Sequence, residues 1–476
     1  MAAKPALHVL FATAELAPLA RVGGLAEASS GLVRQLRADG AVAVEVALPD
    51  YSGATLTGEQ VSELPVPDWA GGVARVRRGV HAAFGPVTLI ATAGTARPNP
   101  YIDADGRGWP DNDARFFGFA AAVAALASHT QPDVLHLNDW HTAAALSFLP
   151  EPPPTVFTIH TLGYQGITDA AWLDRLPHHT DAFAGFEVVN PMLGAVRLAD
   201  RIVAVSPTYS REIVTPTWGA GLDAELAARG TDLVGIRNGI DAGEWNPASD
   251  PHIAATYDAA TVAAGKRACR AALLDWAGFA GPPVATDEPV IGVVSRLVHQ
   301  KGIDLLFETV PFLYHLGARM VVVGSGDAAL VEGLRHAAEV YPDRLVFVEG
   351  YHADLAHQVF AGADLFAMPS RFEPCGLAQM QAMAYGTLPV VTDVGGLHDT
   401  VVDADAVPER GTGIAAHTPS AAALTDALWR AVRLWRDEPR RRHPSVGRDD
   451  EAEVEPVADG SADDAVPARP RSRRST

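Results

Sequence analysis

Short β-rich runs alternate with helical runs along most of this chain, and the alternation begins twice. Near the N-terminus, apolar runs such as LHVLFAT and DVLHLND are separated by Ala- and Leu-rich runs such as RFFGFAAAVAALASH. The same alternation restarts near residue 288 with PVIGVVSR and ARMVVVGSG. Because alternating strands and helices favour a parallel sheet with helices on both faces, we predict two doubly wound α/β domains.

The chain has 476 residues, which is long enough for two such domains. We place them at residues 1–240 and 241–437, with a crossing near residues 238–250. From residue 438 onward the sequence has no aromatic residue, many prolines and dense charge of both signs. This composition is typical of disorder, so we predict a disordered tail over residues 438–476.

Charge and cysteine content narrow the classes of partner and compartment. The formal net charge of −20 makes nucleic acid an unfavourable partner. The two cysteines, Cys269 and Cys375, fit a reducing cytosol and form no ligand pattern. Since no apolar stretch approaches the length of a membrane span, we expect a cytoplasmic protein that does not cross a membrane.

The step Val-Gly-Gly-Leu occurs at residues 22–25 and again at residues 394–397, each time between a strand-like and a helix-like run. Two glycines allow a tight turn, and a helix that starts there presents unpaired N–H groups to an anion. A tight turn alone would explain either copy, because glycine-rich loops are weak signals. Two copies in the same context favour a phosphorylated ligand held between two facing domains.

Two cations follow the strand-like run in SRLVHQKGIDLL. Arg296 ends that strand and Lys301 precedes the next helix. Such a pair suits a diphosphate and would stabilise the charge on a departing phosphate, although a solvated loop is the alternative. Lys301 is one of only three lysines in the chain, with Lys4 and Lys266, which favours the functional interpretation.

The most specific stretch is PSRFEPCGLAQMQAMAYG, in which a strand ends, Glu373 follows, and Pro374 leads into a helix. The amides of Cys375, Gly376 and Leu377 would then face the cleft beside a carboxylate, an arrangement suited to a sugar phosphate. Glu373 as a simple helix cap remains an alternative. Cys375 has no matched base nearby in the sequence, so we expect an inert thiol.

Polar residues also end the strands in HLNDWHTA and FTIHTLGYQG. They include Asp139, His141 and His160. His136 and His141 are not spaced as ligands on one helix face, so we expect no metal and no cofactor. His160 either faces the reacting carbon or is a structural histidine, and the local sequence supports both interpretations equally.

Taken together, FATAELAPLARVGGLAE, HLNDWHTA, FTIHTLGYQG, IRNGIDAGEWNP, SRLVHQKGIDLL and PSRFEPCGLAQ resemble, in order and spacing, the bacterial glycogen synthase and plant starch synthase family. The resemblance covers roughly residues 7–435. It implies the GT-B fold, with two Rossmann-like domains, and transfer of α-D-glucose with retention to the non-reducing end of an α-1,4-glucan. In bacterial members the donor is usually ADP-glucose, and the departing phosphate accepts the acceptor proton.

The resemblance also implies roles for individual residues. The implied catalytic residues are His160, Arg296, Lys301 and Glu373. The implied donor-binding residues are Arg21, Gly23, Gly24, Asp139, Asn238, Tyr351, Cys375, Gly376 and Leu377. The implied acceptor-binding residues are Glu15 and Tyr101.

Several positions depart from the family pattern. The family usually has Lys at the position of Arg21 and commonly Asn at the position of Thr161, and members end in an aromatic-rich helical segment that this sequence lacks. These departures keep two alternatives open. One is a GT-B transferase with another donor or acceptor, such as UDP-glucose or a maltose-phosphate product. The other is a weakly active glucan-binding protein that lacks the closing helix.

Overall fold

A computed structural model describes residues 7–185, 187–350 and 352–437 of the chain. The predicted tail at 438–476 and the predicted nucleobase contact Tyr351 lie outside the described residues. The described part contains two large sheets, one built from residues before 236 and one from residues after 289. Both consist mainly of parallel strands covered by helices, which confirms the predicted doubly wound α/β architecture.

The first sheet has nine strands in the order β11-β10-β7-β6-β1-β2-β5-β4-β3. The strands of this half, including a separate small β8–β9 pair, are β1 (Leu7–Ala12), β2 (Val42–Pro49), β3 (Thr57–Pro65), β4 (Val73–His81), β5 (Gly85–Ala91), β6 (Val134–Asn138), β7 (Thr155–Ile159), β8 (Thr168–Asp169), β9 (Val188–Val189), β10 (Arg201–Ala204) and β11 (Leu233–Gly235). Its helices are α1 (Gly24–Asp39), α2 (Asn112–Thr130), α3 (Trp140–Ala143), α4 (Thr180–Phe183), α5 (Pro191–Leu198), α6 (Pro207–Glu212) and α7 (Asp223–Ala228).

The second sheet has six strands, all parallel, in the order β14-β13-β12-β15-β16-β17. Its strands are β12 (Val290–Leu297), β13 (Arg319–Gly326), β14 (Leu345–Glu349), β15 (Leu365–Met368), β16 (Leu388–Thr392) and β17 (Ile414–Ala416). Its helices are α8 (Val262–Ala277), α9 (Ile303–Thr309), α10 (Leu313–Leu316), α11 (Ala328–Val340), α12 (Ala353–Gly362), α13 (Ala378–Ala384), α14 (Gly395–Thr400) and α15 (Ala421–Asp437).

Burial explains why the central strands read as continuous apolar runs. Four of the six residues of β1 and all residues of β15 and β16 are buried, as expected where helices cover both faces of a parallel sheet. Helix α2 is buried on almost every side because it lies inside the first half. The central strands are therefore fixed by their cores, and the loops at their carboxyl ends have a rigid base.

Two predicted features differ in the structure. Strands β3 and β4 form an antiparallel extension beside β5 that the sequence analysis did not identify. The sequence predicts a helix after Lys301, and the apolar run GIDLLFETVPFLYHL would suit one continuous helix; the structure divides it into α9, a short 3-10 turn at Val310–Phe312, and α10. Pro311 lies in that turn and has no N–H group to continue an α-helix.

The position of the domain boundary near residue 240 stays a prediction, since both halves belong to one compact unit of the chain. No helix among the described residues combines the length and apolar character that crossing a bilayer requires.

Candidate active site

The predicted site residues lie where strands of the two sheets end. Asp139 directly follows β6 and His160 directly follows β7. In the second half, Arg296 is the penultimate residue of β12 and Glu373 lies in the loop after β15. Since ligands of open α/β sheets bind at the carboxyl ends of strands, the structure places these groups where a ligand site is expected.

In the first half, a buried carboxylate occupies the first Gly-Gly turn. Glu15 Oε2 accepts hydrogen bonds of 2.8 Å from both Val22 N and Gly23 N, and Glu15 Oε1 accepts 2.7 Å from the Tyr101 hydroxyl. Burial raises the pKa of Glu15, while these hydrogen bonds lower it. The structure thus brings the two predicted acceptor residues together. It also pairs the Gly23 amide, so this amide is not open to a phosphate, whereas Gly24 N–H has no acceptor among the described residues.

A second carboxylate of the same half is arranged in the same way. Asp139 Oδ1 accepts from the amides of His160 at 2.7 Å and Thr161 at 3.3 Å. Burial raises the pKa of Asp139 to about 7. Its backbone has φ of 52°, a left-handed conformation that is uncommon outside glycine and is held here by the turn from β6 into α3.

The imidazole of His160 lies beside Asn138. His160 Nε2 is 3.0 Å from Asn138 Oδ1, and the amide nitrogen of Asn138 donates to Ala12 O. The Asn138 oxygen therefore faces the ring, and Nε2 carries the proton, which leaves Nδ1 as an acceptor. Burial lowers the pKa of His160 to about 3, so the ring is neutral near pH 7. The Nδ1 atom of this neutral imidazole can therefore accept a hydrogen bond from a sugar hydroxyl.

Two predicted cations, Arg21 beside the first Gly-Gly turn and Arg296 in β12, differ in their surroundings. Arg21 forms ion pairs with Glu27 and, at 3.4 Å, with Glu244. Arg296 is exposed, and its charge acts on Glu15 from the other half of the molecule. Within the described residues Arg296 has no ion pair, so its charge is available to an anionic ligand.

Lys301 and Glu373 form a largely buried ion pair. Lys301 Nζ lies 2.5 Å from Glu373 Oε2, and the same oxygen accepts 2.9 Å from the Ser370 hydroxyl. Their side chains are 15% and 6% exposed. The turn that carries Lys301 packs closely against this loop: at Gly302 a Cβ would lie only 2.0 Å from Pro369 O, so the position requires glycine. The cation and carboxylate are therefore held together at one place.

The loop after Glu373 presents backbone donors. The amides of Cys375, Gly376 and Leu377 donate to no acceptor in residues 7–185, 187–350 or 352–437. Gly376 has φ of 75°, which favours glycine at the point where the loop turns into α13. The Cys375 thiol is buried, and burial raises its pKa to about 12, which argues against a nucleophilic role.

The second Gly-Gly turn supports this loop from behind. Gly396 N donates 2.9 Å to Glu373 O, and Gly395 N donates 2.9 Å to the Glu212 carboxylate. A Cβ at Gly396 would lie 2.3 Å from Cys375 Cα, and one at Gly395 would lie 2.0 Å from Glu373 O. Both glycine amides of this copy already have acceptors, so they are not open to a phosphate as predicted. These glycines are instead needed for close backbone packing.

The two halves meet at the same loop. A Cβ at Gly24 would lie 3.8 Å from the Leu377 side chain, and the Ser206 hydroxyl donates 2.7 Å to Pro374 O. Cys375 Sγ lies 3.9 Å from Asn238 O. Gly24 and Asn238 therefore lie close to the loop that carries Cys375, Gly376 and Leu377.

The histidines considered as metal ligands have other surroundings. His136 Nε2 lies 2.7 Å from Thr158 Oγ1, and the His141 ring packs against Trp140, Phe116 and Tyr101. Nowhere in the described parts of the chain do three or more potential ligand side chains form a metal-binding group.

Known proteins match both halves of the chain. Residues 8–228 match the family described as starch synthase catalytic domain, and residues 288–433 match glycosyl transferases group 1. The glycogen synthase of Thioalkalivibrio sulfidiphilus (strain HL-EbGR7) is 41% identical over 458 residues, which cover 90% of this chain and 93% of that protein. The chain belongs to the glycogen and starch synthase family. Another member, the glycogen synthase of Rhodopseudomonas palustris (strain ATCC BAA-98 / CGA009), is 44% identical over 89% of this chain and 90% of its own length.

Comparison with solved structures shows that this chain has the GT-B fold. The catalytic domain of starch synthase IV from Arabidopsis thaliana, bound to ADP and acarbose, has a TM-score of 0.81 at 29% identity and covers 92% of this chain and 94% of its own. Sucrose-phosphate synthase from Thermosynechococcus elongatus shares the fold at a TM-score of 0.57 and 19% identity, covering 93% and 92% of the two chains.

The loop at residues 369–377, which we call the donor loop after its predicted role, is shaped by several residues that were not predicted from the sequence. They hold backbone or side-chain groups of that loop in place and are Ser206, Ser370, Arg371 and Gln379. Ser206 had a local signal, because Ser before Pro marks the start of a helix, and it does cap α6. The other three lie within PSRFEPCGLAQ itself, but their partners are set by the tertiary fold.

Proposed function

We propose that this glycosyltransferase moves glucose from ADP-glucose to the non-reducing 4-hydroxyl of an α-1,4-glucan, with retention at the anomeric carbon. The observation that carries the proposal is the set of open amides at Cys375, Gly376 and Leu377 beside the Lys301–Glu373 pair. Backbone N–H groups next to a cation suit a diphosphate, and a carboxylate at the same place suits sugar hydroxyls. The ADP bound to Arabidopsis starch synthase IV supports an adenine nucleotide.

On the donor side, Arg296 and Lys301 would stabilise the negative charge that develops when the bond from glucose C1 to the phosphate oxygen breaks. Lys301 is paired with Glu373 at 2.5 Å, so the incoming diphosphate would share the ammonium with that carboxylate. Asn238, whose carbonyl lies beside Cys375, and Tyr351 are proposed further donor contacts. The amides of Cys375, Gly376 and Leu377 would bind phosphate without needing a change of protonation.

On the acceptor side, the sugar 4-hydroxyl would attack C1 from the face that the phosphate leaves. The new bond forms from the acceptor oxygen to C1, and the acceptor proton passes to the departing phosphate oxygen. His160, neutral because its pKa is lowered, and Asp139 would then orient the transferred glucose by hydrogen bonds. Glu15 and Tyr101 lie at the same end of the first sheet and are the proposed acceptor contacts.

The test compares labelled ADP-glucose and UDP-glucose as donors for incorporation into glycogen by the full chain. We expect transfer from ADP-glucose to exceed that from UDP-glucose, and the anomeric proton coupling of the new linkage to be that of an α-glucoside. The variant Arg335→Ala changes an exposed ion-paired cation of the second half. It serves as the control and should keep the wild-type preference between the two donors.

Each contrary result points to a different error. Faster transfer from UDP-glucose would contradict the donor assignment, and a β-linked product would contradict retention. Binding of glycogen without transfer from either donor would favour the alternative of a glucan-binding protein.

A further inference from the structure

Three consecutive carbonyls of the donor loop are held by side chains that the proposed function does not use. The Ser206 hydroxyl donates 2.7 Å to Pro374 O. The side-chain amide of Gln379 donates through Nε2 to Cys375 O at 3.2 Å and to Gly376 O at 2.9 Å. We call these two donors, Ser206 Oγ and Gln379 Nε2, the carbonyl clamp.

The geometry of a trans peptide links each clamped carbonyl to the next amide. Within one planar peptide unit the C=O of a residue and the N–H of its successor point in opposite directions. Each hydrogen bond therefore turns the next N–H away from the group that donates it: the bond from Ser206 does so for one amide, and the two bonds from Gln379 do so for the following two. These are the amides of Cys375, Gly376 and Leu377, which have no acceptor in the described part of the chain.

The orientation of the Gln379 amide follows from its neighbours. All three of its contacts, the two carbonyls and Thr400 Oγ1 at 3.0 Å, surround Nε2. Two of these are carbonyl oxygens, which can only accept, so the NH2 group must face them. The Gln379 side chain is fully buried, and its Oε1 has no donor among the described residues.

The unpaired Gln379 Oε1 lowers the stability of the folded protein. A buried acceptor without a partner costs about 1–3 kcal/mol, which an apolar side chain would avoid. The position thus tolerates an unsatisfied oxygen in order to keep a donor against the loop carbonyls. Gly376 fits the same arrangement, because a Cβ there would lie 2.5 Å from Gln379 Oε1.

We propose that Gln379 is a positioning residue for the donor phosphates, acting through the carbonyls of Cys375 and Gly376, and that Ser206 extends this role from the opposite half. The proposal rests on the proposed function. Gln379 itself touches no substrate; it fixes the direction of the amides that do. Loss of its NH2 group should let the two peptide units rotate and weaken phosphate binding without altering glucan binding.

The test measures ADP binding to the purified full chain by titration calorimetry, with Gln379→Met and Thr400→Val compared to wild type. Methionine keeps the length of the side chain but has no donor. Thr400→Val removes the third contact of Gln379 and leaves both carbonyl bonds in place, so it is the matched control. We expect ADP affinity to fall about tenfold or more in Gln379→Met, as for other supporting residues, and to stay within about twofold in Thr400→Val.

Kinetics give a second readout that loss of stability alone would not change. In Gln379→Met, KM for the nucleotide sugar should rise while KM for glycogen stays the same. Wild-type ADP affinity in this variant, or an equal loss in Thr400→Val, would overturn the proposal. If Gln379→Met does not fold, Ser206→Ala replaces it, with an expected loss of about threefold; unchanged affinity there would equally overturn the proposal.

Wild-type binding separates this inference from the proposed function. If the wild type does not bind ADP, the proposed donor is contradicted, and the same variants are titrated with inorganic pyrophosphate. A weaker affinity of Gln379→Met for pyrophosphate would still support the carbonyl clamp, and an equal affinity would overturn it.

Discussion

The two sheets end at the cleft with opposite backbone chemistry. In the first half, acidic side chains take up the turn amides: Glu15 pairs with those of Val22 and Gly23, and Asp139 pairs with those of His160 and Thr161. In the second half, the amides after Glu373 stay open and a lysine lies beside them. An anion therefore finds three open amides and the cations Arg296 and Lys301 on the side of the second half, and on the side of the first half the Gly24 amide beside buried carboxylates.

This difference explains how two similar architectures would divide the work of one reaction. Open amides and cations suit the diphosphate of the donor, whereas buried carboxylates and a neutral histidine suit neutral sugar hydroxyls. The two Val-Gly-Gly-Leu steps do not share in this difference. In both copies a carboxylate accepts from a glycine amide, Glu15 from Gly23 and Glu212 from Gly395, so the motif alone does not make a phosphate site.

The largest expected effect separates the cations of the two halves. Lys301→Ala should lower kcat by about 10²–10³-fold, because it removes charge stabilisation from the leaving phosphate. It should also cost about 3 kcal/mol of stability, since it leaves the buried Glu373 carboxylate without its ion pair. Steady-state kinetics and calorimetric melting measure the two effects.

Arg21→Ala is the matched variant in the first half. Two carboxylates, Glu27 and Glu244, already balance the Arg21 charge, so we expect a decrease in kcat of less than about tenfold. If both variants lost kcat equally, the diphosphate would be held by both halves and the asymmetry described above would be wrong.

A smaller effect distinguishes the two Gly-Gly turns. Gly396→Ala should cost about 3 kcal/mol, because its Cβ would lie 2.3 Å from the Cys375 backbone, which cannot move without disturbing the donor loop. Gly24→Ala should melt like wild type, since the nearest atom to its Cβ is 3.8 Å away. Activity should fall in both variants. Gly396→Ala would disturb the donor loop at Cys375, and the methyl group of Gly24→Ala would point toward Leu377 of the same loop. Equal melting temperatures for the two variants would contradict a supporting role for the second turn.

The sequence predicted the central strands well and the sheet edge poorly. Buried parallel strands such as β1 and β13 contain continuous apolar runs, and both were predicted from LHVLFAT and ARMVVVGSG. Strand β4, VARVRRGVH, has three arginines among its apolar residues, and its partner β3 is exposed along most of its length. A search for continuous buried runs does not detect strands of this mixed composition at a sheet edge.

In the site, the sequence predicted which residues lie at strand ends but not what their atoms contact. Glu15 and Tyr101 were placed together only by the family resemblance, and their hydrogen bond spans 86 residues of chain. The contact of Ser206 with Pro374 spans 168 residues. Such pairings depend on how the two halves pack, which local composition does not encode.

The smallest expected effect concerns the buried carboxylate of Asp139. Its pKa is raised to about 7 by burial, so between about pH 4 and pH 7 the folded protein keeps a proton that the unfolded chain has lost. Stability from this group is therefore present at low pH and is lost as the pH rises through 7. Asp139→Asn cannot ionise and its oxygen can still accept from His160 N and Thr161 N. The variant should be more stable than wild type at pH 8, and the difference should vanish near pH 4.

Melting temperatures of Asp139→Asn and wild type across this range measure the effect, and Asp258→Asn provides a control of opposite sign. Hydrogen bonds from Thr261 lower the pKa of Asp258, so that variant should lose stability above pH 4. Transfer activity of Asp139→Asn should fall even where its stability rises, because an amide would not fully replace the hydrogen bonds that we propose between the carboxylate and sugar hydroxyls. A variant that is both more stable and fully active would show that Asp139 is a structural residue, and His160 would then be the remaining proposed contact of this pair with the transferred glucose.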